Sequence, residues 1–217
     1  AKNSLHGSLN DRAQFQQAMT VAEVLAAPMI AEPLTRPMCS PVGDGAAAAI
    51  VVSERKAREL GLVGKRAKVV SSVLRSTWPK GDDDMGLTEF TARAAYEASG
   101  YGPEDLGIVE LHDASAFAEI TAYENLGLCA PGEGGRLVAD GVTRLGGRLP
   151  VNTSGGLLRK GHPIGATGIA QIFELVEQLE GRAGVRQVES PRVALAHNAG
   201  GSLGPDSAAA CVTVLTR

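Results

Sequence analysis

The run Gly155-Gly156-Leu157-Leu158-Arg159-Lys160-Gly161-His162-Pro163-Ile164-Gly165-Ala166-Thr167-Gly168 constrains this chain more than any other stretch. Its glycines let backbone approach a ligand or another strand closely, and Pro163 stiffens the turn after His162, so the run reads as a loop. The residues that follow, Ile169–Leu179, place apolar side chains at 169, 172, 173, 176 and 179, the spacing of an amphipathic helix. A glycine-rich loop feeding a helix N-terminus sets free amide groups and the positive end of the helix dipole beside an imidazole. His162 is thereby given a fixed place next to an anion or an oxyanion.

The rest of the chain reads as strands alternating with helices, which implies an α/β layered sheet. The first residues read as a loop, with a short amphipathic helix over Asp11–Met19. A second helix starts at Thr20, where Glu23 completes a capping box, and Pro33, Pro37 and Pro41 stop it. Gly45–Val52, small and then β-branched, predicts a fully buried strand, and Ser53 caps a helix over Glu54–Leu60 that ends at Gly61. A strand over Lys68–Leu74 leads to the acidic loop Gly81–Gly86, with Asp82–Asp84 a solvated charge run, and then to a helix over Thr88–Ser99 stopped by Gly100. The apolar Ile108–Leu111 predicts a strand that delivers His112-Asp113 to a strand–helix turn before a helix over Ala116–Leu126. Ala130–Leu149 holds six glycines and reads as a surface excursion. Arg192–His197 and Ala209–Leu215 read as strands joined by the turn at Gly200-Gly201-Ser202-Leu203-Gly204, forming a terminal hairpin.

Composition removes several classes of function. A net charge of -3 over 217 residues leaves no basic surplus for a nucleic-acid backbone, and no Lys/Arg stripe is interleaved with aromatics. No apolar run approaches the roughly 20 residues of a membrane span. With no export signal in the first residues, the expectation is a soluble, cytosolic protein. Cys39, Cys129 and Cys211 are widely separated and without a nearby histidine at ligand spacing, so neither a disulfide framework nor a metal site is suggested, and they read as inert buried thiols. The opening Ala1-Lys2-Asn3 lacks an initiator methionine, which suggests a fragment or a processed chain.

Three further motifs accompany the histidine loop in a fixed order. Gly161-His162-Pro163-Ile164-Gly165-Ala166-Thr167-Gly168, between a strand and a helix, resembles the histidine loop of thiolases. Met38-Cys39-Ser40-Pro41 followed by Asp44-Gly45-Ala46-Ala47 resembles the thiolase segment in which a serine lies along the CoA pantetheine. Leu111-His112-Asp113-Ala114 resembles the H-D-x-F motif of the sterol-carrier-protein type of thiolase, and His197-Asn198-Ala199-Gly200-Gly201 falls where many thiolases have C-x-G. The resemblance spans nearly the whole chain. It implies a thiolase-like layered fold whose C-terminal domain, residues 66–217, has a mixed sheet flanked by helices. Residues 1–41 would be the tail of a CoA-binding loop domain, and residues 42–65 the last strand and helix of the N-terminal domain.

The resemblance also implies a chemistry. His162 corresponds to the histidine that activates a nucleophilic cysteine and shares in an oxyanion hole, and His112 to the polar residue that holds the thioester or a water. Asp113, beside His112, is expected to orient it and fix its tautomer. Asn198 completes the expected catalytic set, and Ser40, Gly161, Gly200 and Gly201 are expected to bind CoA or substrate. His6 reads as capping a loop. No cofactor is implied beyond the CoA thioester itself, which is substrate. Three positions depart from the family: Ala114 and Asn198 stand where thiolases carry a second, proton-moving cysteine, Ser115 stands in place of the motif's phenylalanine, and no motif in this chain supplies the nucleophilic cysteine. The first reading is therefore part of an acyltransferase that makes or breaks a C–C bond in a CoA thioester, in lipid or sterol side-chain metabolism. The alternatives are a retro-aldolase of a steroid side-chain CoA ester and a non-catalytic CoA- or lipid-binding subunit. Implied partners are an acyl-CoA, a second copy in the full-length protein, and a small CoA- or acyl-binding subunit.

Overall fold

A computed structural model of the chain describes residues 1–63, 66–77, 85–203 and 206–217. The expected acidic run Asp82–Asp84 and part of the turn at Gly200–Gly204 lie outside them. Helices α1 (Lys2–Ser8) and α2 (Val21–Ala26) precede a small hairpin of β1 (Met29–Ala31) and β2 (Leu34–Thr35), and α3 (Glu54–Glu59) follows. The body of the molecule is β3 (Lys68–Ser76), α4 (Leu87–Ser99), β4 (Ile108–Glu110), α5 (Ala116–Asn125), α6 (Gly134–Ala139), α7 (Gly156–Lys160), α8 (Thr167–Leu179), β5 (Val193–Gly200) and β6 (Ala209–Thr216). Among the described residues no helix is long and apolar enough to cross a membrane.

The sheet runs β3-β6-β5-β4, mixed in direction: β6 lies antiparallel to both β3 and β5, and β4 is parallel to β5. Its strands feed two cores because successive side chains point to opposite faces. Val109, Val193, Leu195, Val212 and Val214 pack beneath α4 and α5, with Ala92, Ala95, Tyr123 and Leu126. Ile108, Ala194, Ala196 and Leu215 pack beneath α8, with Leu175 and Leu179. The result is the helix–sheet–helix layering expected of the mixed-sheet domain.

The local signals with side-chain chemistry behind them hold. Thr20 accepts from the Glu23 amide at 3.2 Å while Glu23 accepts from the Thr20 amide at 2.7 Å, a complete capping box. Ser53 caps α3 through the Lys56 amide, and Gly100 ends α4 in the left-handed region.

Four expectations differ from the structure. Asp11–Met19 is not helical: the Gln14 and Phe15 amides donate to the Lys160 and Arg159 carbonyls, so this backbone pairs with the end of α7 rather than with itself. The helix lies earlier, in α1, where a loop was expected. Gly45–Val52 forms no strand, for a sheet needs partners along its edges and the described residues offer none; Ile50 is 95% exposed. Ala130–Leu149 is not a surface excursion, since it contains α6, and Leu137, Val138, Val142 and Leu149 pack against the first core. Finally, α8 is rotated from its apolar face. Gln171, Glu174 and Gln178 are buried while Ile169 and Phe173 are substantially exposed, because these polar side chains are fully engaged beneath the helix.

Candidate active site

Strand β4 ends two residues before His112, and the loop after Val151 runs alongside that end. The Asn152 amide donates to the Val109 carbonyl at 2.8 Å, and the Leu111 amide donates to Asn152 Oδ1 at 2.8 Å. The glycine-rich run is not all loop, because α7 occupies Gly156–Lys160. Its N-terminal amides are taken up by Asp113, which accepts from Leu157 at 2.7 Å. Gly156 has φ of 63°, and a Cβ there would lie 2.2 Å from Asp113 Oδ2, so only glycine fits. Asp113 therefore anchors the loop of His162 and binds Asn3 Nδ2 at 2.8 Å, rather than fixing the tautomer of His112 as expected. Burial, and Glu119 nearby, push its carboxyl well above the ordinary range.

Gly161, at φ 104°, turns the chain from α7 into His162; a Cβ there would meet Gln14 Oε1 at 2.7 Å. His162 and His112 then meet edge to face, their ring centroids 5.0 Å apart and their planes at 86°. Thr167, at the start of α8, donates its hydroxyl hydrogen to the Pro163 carbonyl at 3.0 Å and sits 2.8 Å from His162 Nδ1. With its one hydrogen committed, that hydroxyl accepts from Nδ1–H, which leaves the lone pair of His162 on Nε2. Burial and the nearby Lys160 ammonium hold His162 below its ordinary pKa. Burial, His162 and Lys160 depress His112 to about 4. Both rings are neutral at physiological pH.

The remaining expected residues sort into near and far. Ser40 lies beside the site, its amide donating to the Ala114 carbonyl at 2.9 Å, with Cys39 bridged to Ser115 and Val42 to His162. Asn198, on β5, donates to Gln171 Oε1 at 3.0 Å and flanks Gly168 in the first turn of α8. Gly200, the last residue of β5, and Gly201 are exposed at the same end of the strand as Asn198. His6 is structural: its Nε2 accepts from the Leu145 amide at 2.9 Å, so its Nδ1–H donates to the Asn152 carbonyl at 2.9 Å.

Sequence reasoning missed four contributors. Thr167 was visible within the motif but carried no assigned role. His197, adjacent to Asn198, is buried with Nε2 3.3 Å from the Thr88 hydroxyl, and burial together with His112 depresses it to about 3. Its position two residues after Leu195 on the same strand face was the available signal. Lys160 is half-buried and donates to the Gly161 carbonyl at 3.1 Å, and Glu110 is fully buried at the end of β4. An open cavity of about 660 Å³ adjoins the loop, lined in part by Arg12, Gln14, Lys160, Gly161, Pro163 and Phe173. Among the described residues no group of His, Cys, Asp and Glu side chains is arranged to hold a metal ion.

Comparison with known proteins gives these motifs a context. Residues 83–217 match the family model described as thiolase C-terminal domain-like. Over 207 residues the chain is 41% identical to sterol carrier protein 2 of Oryctolagus cuniculus, covering 92% of this chain and 38% of the relative. It is 44% identical to benzoylsuccinyl-CoA thiolase subunit BbsB of Thauera aromatica, covering 92% and 53%, and 42% identical to an acetyl-CoA acetyltransferase of Methanothermobacter thermautotrophicus, covering 93% and 54%. The chain thus spans about half or less of these relatives' length. Among solved structures, the Ltp2-ChsH2(DUF35) aldolase superposes with a TM-score of 0.81 at 26% identity, over 98% of this chain and 56% of that one.

Proposed function

The chain belongs to the thiolase family, and from that premise we propose that it carries the proton-transfer and oxyanion-binding half of a site that makes or breaks a C–C bond in a coenzyme A thioester. The observation that carries this reading is the histidine pair. His162 is neutral with its lone pair on Nε2, the state in which an imidazole takes a proton from a thiol or an alcohol. His112, neutral and edge-on at 5.0 Å, supplies an N–H to a developing enolate or alkoxide oxygen. Ser40 and Gly161 flank the pair and suit the pantetheine arm; Asn198 holds the Gln171 side chain of α8 behind it. Residues 66–217 act as the C-terminal domain, residues 42–65 as the end of the N-terminal domain and residues 1–41 as part of the CoA-binding loop domain. Partners consistent with the relatives are an acyl-CoA, a second copy of the full-length protein, and a small second subunit, since one relative is named as a subunit and the similar structure joins two proteins.

Ala114 and Asn198 favour a second reading, a retro-aldol reaction. With no thiol at either position, the α-carbon lacks the thiolase proton carrier. A retro-aldol step needs only a base for the alcohol proton: the C–C bond then breaks, its electrons pass to the thioester as an enolate, and a proton returns to the α-carbon. His162 Nε2 suits the first of these roles and His112 the stabilisation of the enolate.

The test is turnover by the full-length protein of a 3-ketoacyl-CoA with free CoA, in parallel with a 3-hydroxyacyl-CoA carrying a tertiary alcohol, with product masses measured. His162→Ala is expected to lower the rate by about 10²–10⁴-fold. Cleavage of the keto substrate assigns thiolysis and cleavage of only the hydroxy substrate assigns the aldolase. Failure of both leaves a binding subunit and overturns the proposal.

A further inference from the structure

The 5.0 Å meeting of the two rings depends on how the end of β4, which delivers His112, is held against the loop that carries His162. Asp113 contributes one tie, described above. A second tie runs through Glu110, two residues before His112. Its Oε1 accepts from the Ser154 amide at 2.9 Å and its Oε2 from the Ser154 hydroxyl at 2.6 Å, both buried. The same Ser154 hydroxyl accepts from the Gly156 amide at 3.2 Å, at the start of α7, whose far end leads directly into Gly161-His162. Thr153 extends the contact, its hydroxyl lying 3.4 Å from Glu110 and 3.0 Å from Glu174.

We infer that Glu110 is a positioning residue for the histidine pair: through Ser154 it fixes the loop that carries His162 against the strand that delivers His112. This rests on the reading that the pair forms the reacting site. A fully buried carboxyl is costly to retain unless its hydrogen bonds are used, and those of Glu110 go to the loop. Two charged groups act on it, Glu174, which is paired with Arg186, and the Lys160 ammonium. The bidentate grip on one residue's amide and hydroxyl specifies the position of Ser154 in two directions, which a single contact does not.

The experiment compares Glu110→Ala, Glu110→Gln and Ser154→Ala by the nuclear Overhauser contact between the His112 and His162 ring protons in the 217-residue chain. It adds kcat, KM and melting temperature of the same variants in the full-length protein. Glu110→Gln retains an oxygen for the Ser154 amide and is expected to keep the ring contact and most of kcat. Glu110→Ala and Ser154→Ala are expected to lose the contact and to lower kcat by about 10²-fold while KM stays within about twofold. A folded Ser154→Ala or Glu110→Ala variant with ring contact and kcat intact, its melting temperature lowered or not, assigns Glu110 to stability alone and overturns the inference. Should Glu110→Ala fail to fold, Ser154→Ala decides. His162→Ala, run beside them, separates the two claims: its retained activity removes the reading of the pair itself, whereas an inactive His162→Ala beside an unaffected Ser154→Ala removes only the inference about Glu110.

Discussion

Residues 1–10 and residues 42–52 invert the usual relation between polarity and burial. The first segment is mostly polar, yet Asn3, Ser4, His6 and Asn10 are all buried. The second is almost entirely small and apolar, yet Val42 and Ile50 are each 95% exposed and Val51 80%. The difference is one of partners. Most of the buried polar atoms in the first segment meet a complementary atom: Asn10 Nδ2 donates to the Ser154 carbonyl at 2.8 Å, and the Ser4 hydroxyl donates to the Ala1 carbonyl at 2.7 Å and accepts from the Met19 amide at 2.8 Å. The second segment has backbone and side chains suited to the middle of a sheet, and among the described residues no strand lies beside it. Burial follows complementarity, with composition only a guide to it.

The largest effect expected from this contrast lies at Lys2. Its ammonium pairs with the buried Glu119 and donates to the Val151 carbonyl at 3.1 Å, while Tyr123 and Asn3 donate to the same carboxylate. Burial alone would push the Glu119 carboxyl up; Lys2 and the hydrogen bonds outweigh it and hold it below its ordinary range. Lys2→Met leaves that charge without its counterion and is expected to cost about 3–5 kcal/mol in chemical denaturation. A cost under about 1 kcal/mol would show that the polar segment is merely laid on the surface and would break the comparison.

His6 comes next. Its two ring nitrogens join the Leu145 amide to the Asn152 carbonyl, and His6→Ala leaves both backbone groups buried and unpaired, an expected loss of about 2–3 kcal/mol. The same residue gives a pH test. Burial first, and Lys2 second, depress its pKa from 6.5 to about 4. The folded state therefore binds this proton more weakly than the unfolded state, so the contribution of neutral His6 is complete above about pH 6.5 and is lost as pH falls towards 4. Glu110 runs the other way: burial and Glu174 raise it to about 7, and its contribution is lost as pH rises from 4.5 through 7. A His6→Gln variant isolates the histidine, because its stability should fall less steeply than that of the parent between pH 6.5 and 4, by about one proton in the linkage slope. An unchanged slope would mean that His6 takes up its proton in the fold as readily as in the unfolded chain.

The same contrast explains what was legible in the sequence. Features whose cause is local could be read: the Thr20 box, the Ser53 cap, Gly100 at the end of α4, the strands of the terminal hairpin, and the loop that places His162 at a helix start. Features whose cause is a distant partner could not. Helix α1 has no apolar periodicity because it is held by hydrogen bonds to residues more than a hundred positions away. Helix α8 presents Gln171, Glu174 and Gln178 inward because His197, Thr153 and Arg186 await them, and no count of apolar positions reveals that. In the site, His162 and His112 were visible from their motifs, whereas Asp113 was placed beside the wrong partner: adjacency in sequence suggested His112, but the loop amides at Leu157 and Leu158 lie closer to its carboxylate.

The smallest effect is expected at Ile50, and it is the most discriminating. In the 217-residue chain its side chain is 95% exposed, so Ile50→Ser removes no buried surface and should change stability by no more than about 0.5 kcal/mol. If residues 42–52 complete a sheet in the full-length protein, the same substitution there deletes a buried branched side chain and introduces a hydroxyl, a loss of about 2–5 kcal/mol. Measured in both, the substitution asks whether the apolar segment is exposed for want of a neighbour or because it belongs on the surface. A large cost in the shorter chain would mean that the segment already has its partner, and an equally small cost in both would mean that its composition never specified a strand.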